Sequence, residues 1–181
     1  MGSFRHRRFG HILQATQRAS AYVTVDINRN AQPSVVADAH ELPFRNDTFD
    51  IVIANNVIEH LRSPDIGVSE IRRVLKPGGL VLFTTPFLYP IHEAPHDFVR
   101  FTKFGLAHLF RDFAAVEILE RGGWFSAVSS LIFKLTHALD RVFVGRIMRW
   151  LLYVPLWGLV QLDRFDNSAA FTRVYYGRLM K

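Results

Sequence analysis

Densely apolar runs alternate along this chain with segments whose apolar positions recur at helical spacing. Phe49–Ala54 is almost all apolar, and so is Leu80–Thr84. Runs of this kind predict strands buried on both faces, as in a parallel sheet. Tyr22–Ile27 and Ser34–Ala37 are shorter extended runs, and the first ends in the turn-forming Asp26–Ile27–Asn28. Asp65–Leu75 places Ile66, Ile71, Val74 and Leu75 near one face of a helix. Lys76–Pro77–Gly78–Gly79 then stops it, because proline cannot continue a helix and glycine permits positive φ. Further helices are predicted over Phe9–Arg18 and Lys103–Phe110, and further strands over Ala115–Glu120 and Phe171–Leu179. Strands alternating with helices predict an α/β fold built on a parallel sheet.

The stretch from Trp124 to Leu162 breaks this rhythm. It is dense in Leu, Phe, Val and Trp, with Lys134, Arg141, Arg146 and Arg149 spaced through it. Two helices are expected, separated near Gly145. Trp150–Leu162 carries no charge but is shorter than the ~20 apolar residues a membrane span needs. The domain layout expected is a single domain over 1–181. It comprises a basic segment over 1–20, an α/β core over 21–123, an apolar helical insertion over 124–162 and a last strand over 163–181.

Composition adds constraints. A chain of 181 residues that is 49% hydrophobic can bury a core and is not disordered. There is no cysteine, which excludes disulfides and thiolate metal sites. The net charge of +6 is partly local, since Arg5, His6, Arg7 and Arg8 crowd the N-terminus. No apolar core follows them, so no signal peptide is predicted and the cytoplasm is the expected compartment. Charge alone, without a reading motif, makes nucleic acid the least favoured partner.

Four segments occur in a fixed order: TVDIN, ADAHELPF, FDIVIANNVIEHL and RRVLKPGGLVLFTTP. In that order and spacing the chain resembles a class I S-adenosylmethionine-dependent methyltransferase of the type 11 group, over roughly Tyr22 to Thr102. The resemblance implies a Rossmann-like sheet and S-adenosylmethionine as cofactor. It assigns the ribose hydroxyls to Asp26 and the adenine amino group to Asp38, with the backbone of Ala39 reading the ring edge. A ribose diol is a double donor, so a strand-end carboxylate is a natural partner for it. Asp26 and Asp38 also suit loop-capping turns. Asn55 and Asn56 leave a strand where the methionine end would lie, or serve as turn residues. The family also begins with a strand and a Gly-x-Gly turn. No Gly-x-Gly occurs here, and the usual first strand is expected to be lacking.

His92–Glu93–Ala94–Pro95–His96 matches H-E-x-x-H by letter. That motif holds zinc only on a helix, which Pro95 forbids, so no metal site is predicted and the segment is expected to be an active-site loop. PHDFVRFT resembles a segment of methyltransferases from polysaccharide and glycolipid gene clusters. His96, Asp97 and His92 are the candidate catalytic residues, with His96 or Asp97 accepting a proton from a hydroxyl. The alternative for His96, Asp97 and Arg100 is a hydrogen-bonded scaffold. His60 could act as a base, but is expected to order the local helix start.

The expected function is methyl transfer to a small-molecule, lipid-linked or saccharide-linked acceptor, with peripheral membrane contact through 124–162. The same apolar segment is a candidate dimer interface. The alternative function is a non-catalytic, methyltransferase-like module that binds a partner or a membrane through its apolar helices.

Overall fold

The computed structural model describes residues 21–138, 143–166 and 171–181. The Phe9–Arg18 helix and the basic N-terminus lie outside the described residues. The chain divides into two units, one ending at Asp38 and one running from Ala39 to Lys181.

In the first unit, β1 (Val25–Asp26) pairs in parallel with β2 (Val35–Val36). Both are shorter than the extended runs that predict them. Thr24 and Ser34 close the pair reciprocally: the Thr24 amide donates to the Ser34 hydroxyl at 3.3 Å, and the Ser34 amide to the Thr24 hydroxyl at 2.9 Å. A short 3₁₀ turn, Arg29–Ala31, links the strands.

The second unit is built on a four-stranded sheet, in the order β3 (Phe49–Asn55), β4 (Leu75–Pro86), β6 (Val174–Met180), β5 (Ala115–Arg121). β3 and β4 are parallel, as expected. β6 is antiparallel to both its neighbours, so the sheet is mixed. Gly177 is what lets β6 fit there. A Cβ at this position would lie 1.9 Å from the Glu117 carbonyl oxygen and 2.9 Å from the Phe83 ring.

β3 departs from the expectation of a doubly buried central strand. Among the described residues its only sheet neighbour is β4, and Ile53 is 56% exposed. The Lys76–Pro77–Gly78–Gly79 turn is absorbed into β4 as a bulge. The register jumps from Phe49↔Leu75 to Ile51↔Leu80, and Gly78 takes φ +72° while its amide donates to the Lys181 carbonyl.

Helix α1 (Pro64–Val74) begins with proline at its first turn, where the missing N–H costs nothing. Val68, Ile71 and Val74 form its buried face, and Leu75 continues inward as the first residue of β4. Ile66, grouped with that face by spacing, points to solvent. Arg73 anchors the preceding loop by donating to the carbonyls of Leu42 and Phe44, to Asn46 and to Glu70, whose carboxylate also accepts the Leu42 amide. Helix α2 (Lys103–Leu109) is capped by the Thr102 hydroxyl and buries Leu106. Leu106, Phe110 and Phe83 are almost fully enclosed in the core, where each such side chain contributes about 1.5–3 kcal/mol.

Helices α3 (Trp124–Ala138) and α4 (Phe143–Val160) stand between β5 and β6, as the insertion before the last strand predicts. Gly145 lies within α4 and does not separate the two helices. The start of α3 is capped from a distance. Asp163 accepts the Gly123 and Ser126 amides, and Asp166 accepts the Trp124 amide. These bonds satisfy donors that have no partner inside the helix. Trp150, Leu151, Val154 and Trp157 of α4 are exposed. Among the described residues no helix is long and apolar enough to cross a membrane.

Candidate active site

The parallel pair β3–β4 delivers two polar clusters, because successive residues of a strand face opposite sides. Thr84 turns its hydroxyl to the exit of β3, within 2.5 Å of Asn55 Oδ1 and 2.9 Å of Asn56 Oδ1. The Asn56 amide donates back to Thr84, and Asn56 takes φ +51°, which asparagine tolerates better than most residues. Both candidate cofactor residues at the exit of β3 are therefore fixed in place.

Thr85, fully buried, faces the other way and donates to Glu59 Oε2 at 3.1 Å. Glu59 sits in the 3₁₀ turn Ile58–His60 and is itself fully buried. Its Oε1 has no hydrogen-bond partner. Burial pushes its carboxyl pKa up.

The segment 88–100 is a loop, as Pro95 predicts. It is stitched to the Glu59 turn: the Glu59 carbonyl accepts the amides of Phe98 and Val99, and His60 Nδ1 lies 2.6 Å from the His96 carbonyl oxygen. The His96 backbone thus belongs to the cluster, whereas its side chain is exposed beside Phe98. Asp97 is buried to 2% and grips Arg100 through two bonds of 2.5 and 2.6 Å. It also accepts the His92 amide at 3.0 Å. The guanidinium of Arg100 holds the Asp97 carboxyl far below the usual carboxylate range. Asp97 is thus a committed anion in a scaffold and a poor proton acceptor, which corrects its expected role as a base.

His92 is the expected catalytic residue that enters the cluster with its ring. Its Nδ1 lies 3.3 Å from Asp97 Oδ2 and its Nε2 4.0 Å from Glu59 Oε1. The ring stacks edge-on with His60 at 4.7 Å and with Tyr89 at 5.2 Å. Sequence reasoning set Glu59 and His60 aside and passed over Thr84 and Thr85. The one local signal was an acid between Ile58 and Leu61, both of which are buried.

In the first unit, Asp26 ends β1 and its Oδ1 accepts the Asn28 amide at 2.7 Å, so it holds its own turn while leaving its second oxygen for a ligand. Asp38 is exposed and Ala39 half-buried, at the close of one unit and the opening of the other.

Beyond the loop, Tyr89 also lines an open groove of about 410 Å³ against α3 and α4. Phe133, Leu156 and Trp157 give it apolar walls, and Lys134 and Arg173 bring positive charge. Arg173 donates to Ser130, and Lys134 lies over the Tyr89 ring at 5.1 Å.

Residues 9–83 match the model of a family described as a methyltransferase domain. A ubiquinone/menaquinone biosynthesis C-methyltransferase from Burkholderia vietnamiensis is 42% identical over 50 residues, covering 28% of this chain and 21% of that protein. A demethylmenaquinone methyltransferase from Streptomyces avermitilis is 42% identical over 50 residues, covering 28% and 22%. The match thus spans about a fifth of the length of these relatives. Among solved structures, an Archaeoglobus fulgidus protein described as a SAM-dependent methyltransferase superposes with a TM-score of 0.55 at 16% identity, over 95% of this chain and 81% of that one. The [4+2]-cyclase SpnF gives 0.55 at 20% identity, over 94% and 70%. The fold is therefore Rossmann-like, and residues 9–83 are similar to the methyltransferase-domain family.

Proposed function

We propose that this chain binds S-adenosylmethionine and transfers its methyl group to a bulky, amphiphilic acceptor. The observation that carries the reading is the polar exit of β3. Asn55 and Asn56 are fixed by Thr84 at the carboxyl ends of a parallel pair, within the stretch the family model matches. Open α/β sheets bind ligands at such strand ends. Within the second unit, Asn55 and Asn56 would face the methionine end of the cofactor.

The reaction is an in-line displacement at a sulfonium. The acceptor's lone pair forms a bond to the methyl carbon as the carbon–sulfur bond breaks, leaving S-adenosylhomocysteine. Little bond chemistry falls to the protein, whose main work is orientation. A proton shed by a hydroxyl acceptor would not go to Asp97, which Arg100 holds ionised. The imidazoles of His92 and His60, about one-fifth exposed, are the acceptors that reach solvent.

The groove supports an acceptor with an apolar tail and an anionic linkage, such as a lipid-linked saccharide. Tyr89 joins that groove to the His92 ring. The exposed Trp150, Leu151, Val154 and Trp157 support contact with a membrane surface from the cytoplasmic side. The same exposed residues favour a second reading, in which the chain is a non-catalytic module that docks a partner or a second copy through α4.

The test is calorimetric titration of S-adenosylhomocysteine into the full chain, with Asp26→Ala as control. Saturable binding that is lost in the variant is the expected result. A folded chain that takes up no S-adenosylhomocysteine would overturn the methyl-transfer reading in favour of the docking one.

A further inference from the structure

Glu59, His60 and His92 come from two segments more than thirty residues apart, and one potential ligand atom of each lies within 4.8 Å of the others. His60 Nε2 is 3.9 Å and His92 Nε2 4.0 Å from the same carboxylate oxygen, Glu59 Oε1. Among the described residues that oxygen and Arg100 Nε are the two buried side-chain atoms without a hydrogen-bond partner, and the Glu59 side chain is fully buried. A buried polar atom without a partner costs about 1–3 kcal/mol, more when charged.

The imidazoles make the shortage of donors worse. His60 Nδ1 is 2.6 Å from the His96 carbonyl oxygen, which can only accept. His92 Nδ1 is 3.3 Å from the Asp97 carboxylate and 3.4 Å from Arg100 Nη2. In a neutral imidazole the single N–H sits on the nitrogen that faces an acceptor. His60 therefore keeps its N–H at Nδ1 and has Nε2 as an acceptor, and His92 offers Nε2 in the same way when its N–H is directed at Asp97. No hydrogen bond reaches Glu59 Oε1 from either imidazole or from Arg100. Arg100 is close, but Asp97 takes its charge.

A metal ion supplies what is missing. We propose that Glu59 Oε1, His60 Nε2 and His92 Nε2 form a binding site for one divalent transition-metal ion of the zinc class. A point equidistant from three atoms spaced this way lies about 2.2–2.5 Å from each, against ~2.0–2.2 Å for zinc with nitrogen or carboxylate ligands. A contraction of a few tenths of an ångström closes the site. Two His and one carboxylate are a donor set that zinc and ferrous iron accept. The outer bonds fit as well, since metal-bound His ordinarily donates its other N–H to a carboxylate or a backbone carbonyl. The letters of the H-E-x-x-H motif mislead here: Glu93 and His96 are exposed, and only His92 joins the group. Three protein ligands leave an open position on the side where His60 and His92 reach solvent, next to Tyr89. The site does not depend on the methyl-transfer reading.

The probe is cobalt(II), titrated into the chelator-treated full chain and followed by its visible d–d absorption, with zinc(II) as competitor. The expected result is one cobalt per chain, displaced by zinc. Glu59→Gln and His92→Ala should each weaken uptake at least ~10-fold, while His96→Ala, which keeps its carbonyl, should leave it unchanged. Circular dichroism checks that each variant is folded. If Glu59→Gln does not fold, His60→Ala replaces it, because the ring is partly exposed. No stoichiometric uptake by the folded wild-type chain would overturn the proposal and leave a proton shared among the three acceptors. Uptake that survives both Glu59→Gln and His92→Ala would overturn it equally.

Discussion

Asp97→Asn is the sharpest perturbation of the loop that carries His92. The wild-type carboxylate, 2% exposed, takes two short bonds from Arg100 and one from the His92 amide. Asparagine keeps the shape and one acceptor oxygen, but it sets an NH₂ group against a guanidinium N–H. A hydrogen bond to a charged group contributes roughly 1.5–3 kcal/mol, and stranding one partner of a fully buried ion pair costs about 3–5 kcal/mol. Arg100 is 23% exposed, so water recovers part of this, and about 2–3 kcal/mol is the expected loss. For a chain of this size that is a fall in Tm of about 4–12 °C. The assay is thermal unfolding followed by circular dichroism, run beside Arg100→Met and the double variant. The two partners share one interaction, so the double variant should be no less stable than Asp97→Asn, giving a coupling of at least ~1.5 kcal/mol. A Tm within ~1 °C of wild type for Asp97→Asn, or additive losses in the double variant, would refute the reasoning.

Two further outcomes test other parts of the structure. Thr84→Val removes the hydroxyl shared by Asn55 and Asn56; S-adenosylhomocysteine affinity should fall up to ~10-fold with little change in Tm, and unchanged affinity would detach these residues from the ligand. Glu70 has its carboxyl pKa lowered, chiefly by its bonds to Arg73, so its contribution is full above the usual carboxylate range and vanishes as pH falls through the folded value. Glu70→Gln should therefore lower Tm by about 2 °C at neutral pH, from an interaction of ~0.5–1 kcal/mol, and converge on wild type as pH falls through the folded value; a gap that persists into acid would show that the loss is not ionic.

Local pattern and long-range pairing were not equally legible in the sequence. α1, α2 and β5 fall where their periodicity puts them, because a 3.6-residue or two-residue repeat is a property of adjacent residues. Sheet order is not such a property. Nothing near Val174 indicates that β6 will run antiparallel between β4 and β5, although Gly177 marks where three strands crowd together. The apolar run Phe49–Ala54 reads as doubly buried, yet its burial depends on which strands flank it, and the described sheet supplies β4 alone. Lys76–Pro77–Gly78–Gly79 was legible as a turn but not as a bulge within a strand, because the partner of Gly78 is Lys181.

The same distinction governs the candidate site. Asn55 and Asn56 were legible because a strand exit is a local feature, and Pro95 sufficed to forbid a helical zinc motif. The role of Glu59 was not legible, because its meaning comes from Thr85, twenty-six residues away, and from His92, thirty-three away. Asp97 shows the converse. As a carboxylate next to histidine it resembles a base, and three residues on stands the arginine that removes that capacity. A carboxylate can serve as a base only if its proton affinity is left near working pH. The two acids therefore differ by environment: Arg100 fixes Asp97 as a structural anion, while burial with Oε1 unpartnered leaves Glu59 with unmet demand for a proton or a positive charge. Whatever chemistry the loop supports is expected at Glu59, His60 and His92.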